Sequence, residues 1–132
     1  MCDGCAHLLV PPPVWDEVSP DLSFVSALFG YEGAGRALIH RLKYANHRDA
    51  LRVLSRGLAE TVVPACDVVT WVPTTPERRR ERGYDQAELI GRSVASELGL
   101  PAFATVRRVG GGTQVGLDRR QRDRAVFGEV RD

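Results

Sequence analysis

The run Asp67-Val68-Val69-Thr70-Trp71-Val72 constrains the fold of this chain more than any other stretch. Apart from its first residue it is β-branched or aromatic. It stands between Pro64 and Pro73, too short for a helix and closed by a residue that has no N–H to offer a ladder. A continuous apolar run of this kind is expected of a strand covered on both faces, as in a parallel sheet. Parallel partners are reached only through crossovers of helix length, and the flanking sequence supplies them. Residues 24–31 read as an earlier strand that ends near Gly30 and Gly33. Leu38 and Leu42, then Leu51, Leu54, Leu58 and Val62, recur at helical spacing and predict two helices that break at Asn46. Ala87, Ile90, Val94 and Leu98 predict an apolar stripe on a helix over residues 84–98, with Glu88 and Arg92 as an i,i+4 pair and Gly99 as the stop. Residues 102–109 read as another strand, and residues 117–127 as a short charged helix before a last extended piece. The order β-α-α-β-α-β-α-β predicts an α/β fold, a mainly parallel sheet with flanking helices.

Residues 1–22 hold four of the eight prolines and no sustained periodicity, so they read as an irregular arm ahead of a folded domain over residues 23–132. No run of 18 apolar residues occurs, and the N-terminus has neither the basic region nor the apolar block of a signal peptide. Three cysteines, two of them as Cys2-x-x-Cys5, do not make a secreted disulfide framework. A cytoplasmic protein without membrane insertion is the expectation. His40 and His47 fall on helical surface or turn positions and receive no chemistry.

Charge is distributed unevenly. Residues 1–75 carry 6 basic and 8 acidic groups, residues 76–132 carry 12 and 9, and Lys43 is the one lysine among 18 basic residues. Four arginines, Arg78, Arg79, Arg80 and Arg82, crowd five positions of "VPTTPERRRERG", between the run 67–72 and the helix that follows. At the carboxyl end of a parallel strand, backbone N–H groups and loops receive ligands. Thr74 and Thr75 offer hydroxyls, Gly83 allows close backbone approach, and arginine forms bidentate contacts with phosphate. An anion site for phosphate or pyrophosphate is one reading. The other is a solvated helix start in which Glu77 and Glu81 pair with the arginines.

"VPTTPERRRERGYDQAELIGRSVASELGLP" resembles the signature of the ComF family, the competence-associated, phosphoribosyltransferase-like proteins: Val72-Pro73, Arg78, then Arg82-Gly83-Tyr84-Asp85-Gln86-Ala87-Glu88-Leu89. "YEGAGRALIHRLKY", ending in Leu42-Lys43-Tyr44, is similar to the segment before that family's first long helix, and "TQVGLDRRQR" resembles its Thr-x-x-Gln-x-x-Leu loop. The resemblance covers about residues 23–127. It implies a type I phosphoribosyltransferase-like domain that binds phosphoribosyl pyrophosphate with Mg²⁺. Pro73, Thr74, Thr75, Arg78, Arg82 and Gly83 would form the pyrophosphate loop. A flexible cover would span residues 110–122, including Thr113, Gln114 and Arg122.

The sequence also departs from the family pattern. The acidic pair and Thr-Thr-Gly-Ala-Thr loop that would cradle the ribose phosphate is absent, so the domain is expected to be incomplete and inactive as it stands. Asp85 occupies the usual Asn position, and Ala125 stands about where an Asn follows the flexible loop. Cys2 and Cys5 look like half of the family's zinc ribbon, with zinc expected only where the ribbon is complete. Cys66 and His7 are weak further ligands. No acceptor nucleophile can be named, and the reading as an enzyme stays open. The expected partner is a phosphorylated small molecule, and an uncovered sheet edge is expected to favour homo-oligomers. The alternative is an accessory protein for DNA uptake, in which residues 78–82 and 119–124 contact the phosphates of single-stranded DNA or act with DNA-uptake proteins.

Overall fold

The computed structural model describes residues 7–14, 20–44, 50–62 and 66–107 and the backbone of 129–130. It divides into two compact units, Met1–Cys66 and Asp67–Asp132.

The first unit carries two helices, α1 (Gly33–Tyr44) and α2 (Leu51–Thr61), the pair that the leucine spacing predicts. On α1, Gly35, Leu38, Ile39 and Leu42 follow one another at helical spacing, and Gly35 and Leu42 are buried. On α2 the buried positions are Leu54 and Ser55, and the Ser55 hydroxyl donates to the Arg52 carbonyl at 3.1 Å. The segment ahead of α1 is irregular and is tied down at single points. The Gly30 N–H donates to the Val10 carbonyl at 2.9 Å, Leu28 lies over Gly57 of α2, and Ser26 donates to Thr61 at 3.2 Å. Phe24 and Val25 remain more than two-fifths exposed.

Gly35 is required by packing. A Cβ there would come within 2.6 Å of both the Gly30 carbonyl oxygen and Phe29 Cδ2. Gly35→Ala should gain about 1 kcal/mol of helix propensity but force the 29–30 backbone away, at a typical overpacking cost of about 1–3 kcal/mol. The expected net result is a loss of up to about 2 kcal/mol, read from urea unfolding of the variant beside the wild type. A gain in stability would show that the 29–30 segment yields without cost.

The second unit holds α3 (Pro76–Arg82) and α4 (Gln86–Leu98). Strand structure is sparse. Val69 and Ala102 form one isolated parallel bridge, through Val69 N–H to the Pro101 carbonyl at 3.0 Å and Phe103 N–H to the Val69 carbonyl at 3.1 Å. The two-residue pieces β1 (Val106–Arg107) and β2 (Glu129–Val130) pair antiparallel. The expected α/β fold, a mainly parallel sheet of type I phosphoribosyltransferase-like form, is therefore corrected. Among the described residues the protein is mainly helical, with four helices and no multistranded sheet.

The physical reason lies in residues 67–72. They are not covered on both faces: Trp71 is buried, whereas Val68 and Val72 are 40% and 61% exposed. This is the period-2 alternation of a segment with one covered face, written in residues that are apolar on both. Trp71 packs on α4, whose buried positions are Gln86, Gly91, Val94 and Ala95. Of the predicted stripe, Val94 is buried, while Ala87, Ile90 and Leu98 are half-buried. Residues 24–31, predicted as a strand, form no ladder. The predicted helix over 117–127 lies outside the described residues.

Candidate functional site: the turn between Trp71 and Glu88

The arginine cluster lies within a helix, as the helix-start reading of the sequence has it and the ligand-loop reading does not. Thr75 is the N-cap of α3, its hydroxyl accepting from the Arg78 N–H at 3.3 Å, and Pro76 occupies the first turn, where no intrahelical N–H is needed. Gly83 closes the helix in the left-handed region at φ 77°, with its N–H on the Arg79 carbonyl. Two residues later Asp85 caps α4. Its Oδ1 accepts from the N–H groups of Ala87 at 2.9 Å and Glu88 at 3.4 Å.

Asp85 joins the two sides of the turn. Its Oδ2 accepts from the Thr74 N–H at 2.7 Å, so one carboxylate, 4% exposed, holds the start of α4 against the end of the extended segment. A second link runs in parallel, because Arg82 Nη1 donates to Gln86 Oε1 at 2.8 Å. Asp85 and Gln86 thus act on the shape of the loop, and the carboxylate supplies to the helix N-terminus the negative charge that an external anion would otherwise bring.

Beside this turn lies a cavity of about 320 Å³ lined by Trp71, Pro73, Thr74, Arg79, Arg107 and, on its acidic side, Asp85 and Glu88. Glu88 faces two arginines, Arg92 Nε at 3.0 Å and Arg79 Nη2 at 3.6 Å. The guanidinium of Arg92 also covers the Trp71 ring at 5.1 Å. Arg80 pairs with Glu77 at 3.5 Å.

Of the residues expected to hold pyrophosphate, Pro73 and Thr74 line the cavity, Thr75 and Gly83 frame α3, and Arg78 and Arg82 are half-buried outside the lining. Thr113, Gln114 and Arg122 of the expected cover, and Cys2 and Cys5 of the expected half zinc site, lie outside the described residues. Cys66 is half-buried and His7 exposed. Among the described residues no group of three His, Cys, Asp or Glu side chains is placed to hold a metal ion. Asp85 and Glu88, the carboxylates that line the cavity, are already engaged with backbone N–H groups and arginines. The described residues therefore do not fit a Mg²⁺ site. Among the described residues no helix is long and apolar enough to cross a membrane.

Sequence reasoning passed over Trp71 and Arg107 as members of this site, and it counted Arg79 only as one of the four clustered arginines, outside the pyrophosphate loop that the family resemblance implies. Arg79 could have been singled out by helical spacing, since the Thr75 cap fixes the phase of α3. Arg107 had no local signal, because its segment is brought alongside by long-range ties, the Val69–Ala102 bridge and the hydrogen bonds of Thr105 with Thr70. No family model matches the chain, and neither a curated protein nor a solved structure matches it. The resemblance to the ComF family accordingly rests on the three motifs themselves.

Proposed function

We propose that the turn from Pro73 to Gln86 is the ligand-binding element of a ComF-like protein that takes the pyrophosphate group of a phosphorylated small molecule, phosphoribosyl pyrophosphate being the expected ligand. One observation carries the reading: the fold-back held by Asp85 sets Thr74, Arg79 and Arg107 round a single cavity of about 320 Å³. The Thr74 hydroxyl and two guanidinium groups are donors of the kind a pyrophosphate accepts from. Arg79 pairs with Glu88 at 3.6 Å and is 62% exposed, so it can exchange that carboxylate for a ligand oxygen at small cost. No step is assigned to Mg²⁺ and no acceptor substrate is proposed, since the described residues supply neither a metal site nor a nucleophile-activating pair.

Calorimetric titration with inorganic pyrophosphate and with phosphoribosyl pyrophosphate, in the presence of Mg²⁺ and at two salt concentrations, tests the reading. Arg79→Ala removes one charged hydrogen bond, an effect of about 1.5–3 kcal/mol, so affinity should fall between about tenfold and about 150-fold. Unchanged affinity would leave Arg79 as no more than the surface partner of Glu88. A loss for oligothymidylate without a loss for pyrophosphate would replace the reading by contact with a nucleic-acid backbone.

A further inference from the structure

One edge of the extended segment 67–72 is in use and the other is open. Val69 spends both of its backbone groups on residues 101–103: its N–H donates to the Pro101 carbonyl and its carbonyl accepts from the Phe103 N–H. Backbone groups of an extended chain point to alternate sides, so those of Val68, Thr70 and Val72 point the other way. Among the described residues none of these three makes a backbone–backbone hydrogen bond. Nothing on this edge keeps another strand away, since no charged residue and no proline lies between Val68 and Val72. Their side chains are 40% and 61% exposed, and the Thr70 hydroxyl, on the same face between them, lies 2.7 Å from that of Thr105.

The open edge is complementary to itself, because its residues read Val, Thr, Val in either direction. Antiparallel pairing about a two-fold axis through Thr70 sets Val68 opposite the partner's Val72 and Thr70 opposite the partner's Thr70. All the open backbone groups of residues 68, 70 and 72 then find partners, as hydrogen-bonded pairs. Val69 and the partner's Trp71 meet at the pair between, where no bond crosses, a β-branched residue against an aromatic one. Pro73, which has no N–H to give, falls at a further such pair, opposite the partner's Asp67. A slip of one residue would set open groups against groups already spent. We propose that residues 67–72 are the interface of a homodimer, in which a second copy of the chain adds its own segment antiparallel across the open edge. The same patch serves on both chains, so the contact closes at two.

The test is analytical ultracentrifugation of the full chain, reduced, from about 1 to about 200 µM, the range in which exposed edges associate. A reversible monomer–dimer equilibrium is expected. Val72→Lys puts a charge where the strands meet, on a side chain that is already 61% exposed, and should raise the dissociation constant at least about tenfold with an unchanged circular dichroism spectrum. Register is read by disulfide trapping in a background of Cys2→Ser, Cys5→Ser and Cys66→Ser. Hydrogen-bonded partners stand with Cα atoms about 5.5 Å apart, inside the span of about 4.4–6.8 Å that a disulfide bridges. Thr70→Cys should therefore crosslink by itself, whereas Val68→Cys and Val72→Cys should crosslink when mixed and not singly. A monomer over the whole concentration range would overturn the proposal, as would association that runs past two chains. A dimer that Val72→Lys leaves intact, or that Thr70→Cys fails to crosslink, would place the contact elsewhere on the chain and overturn it equally.

Discussion

Trp71→Ala is expected to unfold the second unit at physiological temperature. The indole is 8% exposed and lies against α4 where that helix has no side chain: a Cβ on Gly91 would come within 3.0 Å of Trp71 Cε3. The Arg92 guanidinium covers the ring at 5.1 Å. Removing a large buried aromatic costs about 3–5 kcal/mol, the lost transfer energy plus the cavity it leaves, and the cation–π contact with Arg92 goes with it. A domain holds only about 5–15 kcal/mol in total, so a loss of this size is a large share of it. The informative readout is amide hydrogen exchange along α4, whose protection should fall by two orders of magnitude or more, corresponding to about 3 kcal/mol or above. Trp71→Phe fills part of the space and should retain about half of the protection. Wild-type protection in Trp71→Ala would mean that α4 is held by contacts other than the indole.

How far the sequence discloses this arrangement depends on whether the decisive interaction is local. α1 and α2 were legible from Leu38, Leu42, Leu51, Leu54 and Leu58 because helical spacing is a property of the segment itself. The end of α4 at Gly99 was legible for the same reason: the glycine sits at φ 67°, with its N–H on the Ala95 and Ser96 carbonyls. Residues 67–72 misled because apolar character on both sides of a strand does not require that both sides be covered. Val68 and Val72 face outward, and whether a second layer exists is decided far along the chain. Residues 24–31 misled differently, since Leu28 uses its apolar side chain to cover Gly57 of α2 rather than to build a ladder. At the candidate site the components were visible and their roles were not. Arg78 and Arg82 stood out as charge, yet Arg82 is turned to Gln86. Asp85 stood out only as a departure from the ComF pattern, although it organises the turn. Its bond to the Thr74 N–H spans eleven residues, beyond the reach of capping rules, which account only for its bonds to Ala87 and Glu88.

Asp85→Ala should therefore affect stability and binding together. The carboxylate accepts three backbone N–H groups from a site that is 4% exposed. Replacing an N-cap costs about 0.5–2 kcal/mol, and a hydrogen bond to a charged group adds about 1.5–3 kcal/mol. The bonds share one carboxylate and are not additive, so the expected loss is about 2–4 kcal/mol, measured by urea unfolding. Asp85→Asn separates the contributions. An amide oxygen can still cap Ala87 and Glu88, but the amide nitrogen is then turned toward the Thr74 N–H, donor against donor; rotated by 180°, the same group restores Thr74 and loses the cap. Asparagine should consequently lie between wild type and alanine in stability. Pyrophosphate affinity should order the three proteins in the same way if Thr74 and Arg79 act from one preformed turn, because freeing the Thr74 backbone dissolves the geometry that sets them round the cavity. Removing a negative charge from the cavity wall favours anion binding on its own, which gives the experiment a clear sign: tighter pyrophosphate binding by Asp85→Ala would show that Asp85 opposes the ligand rather than shaping its site, and the turn would lose its claim to be a preorganised cradle.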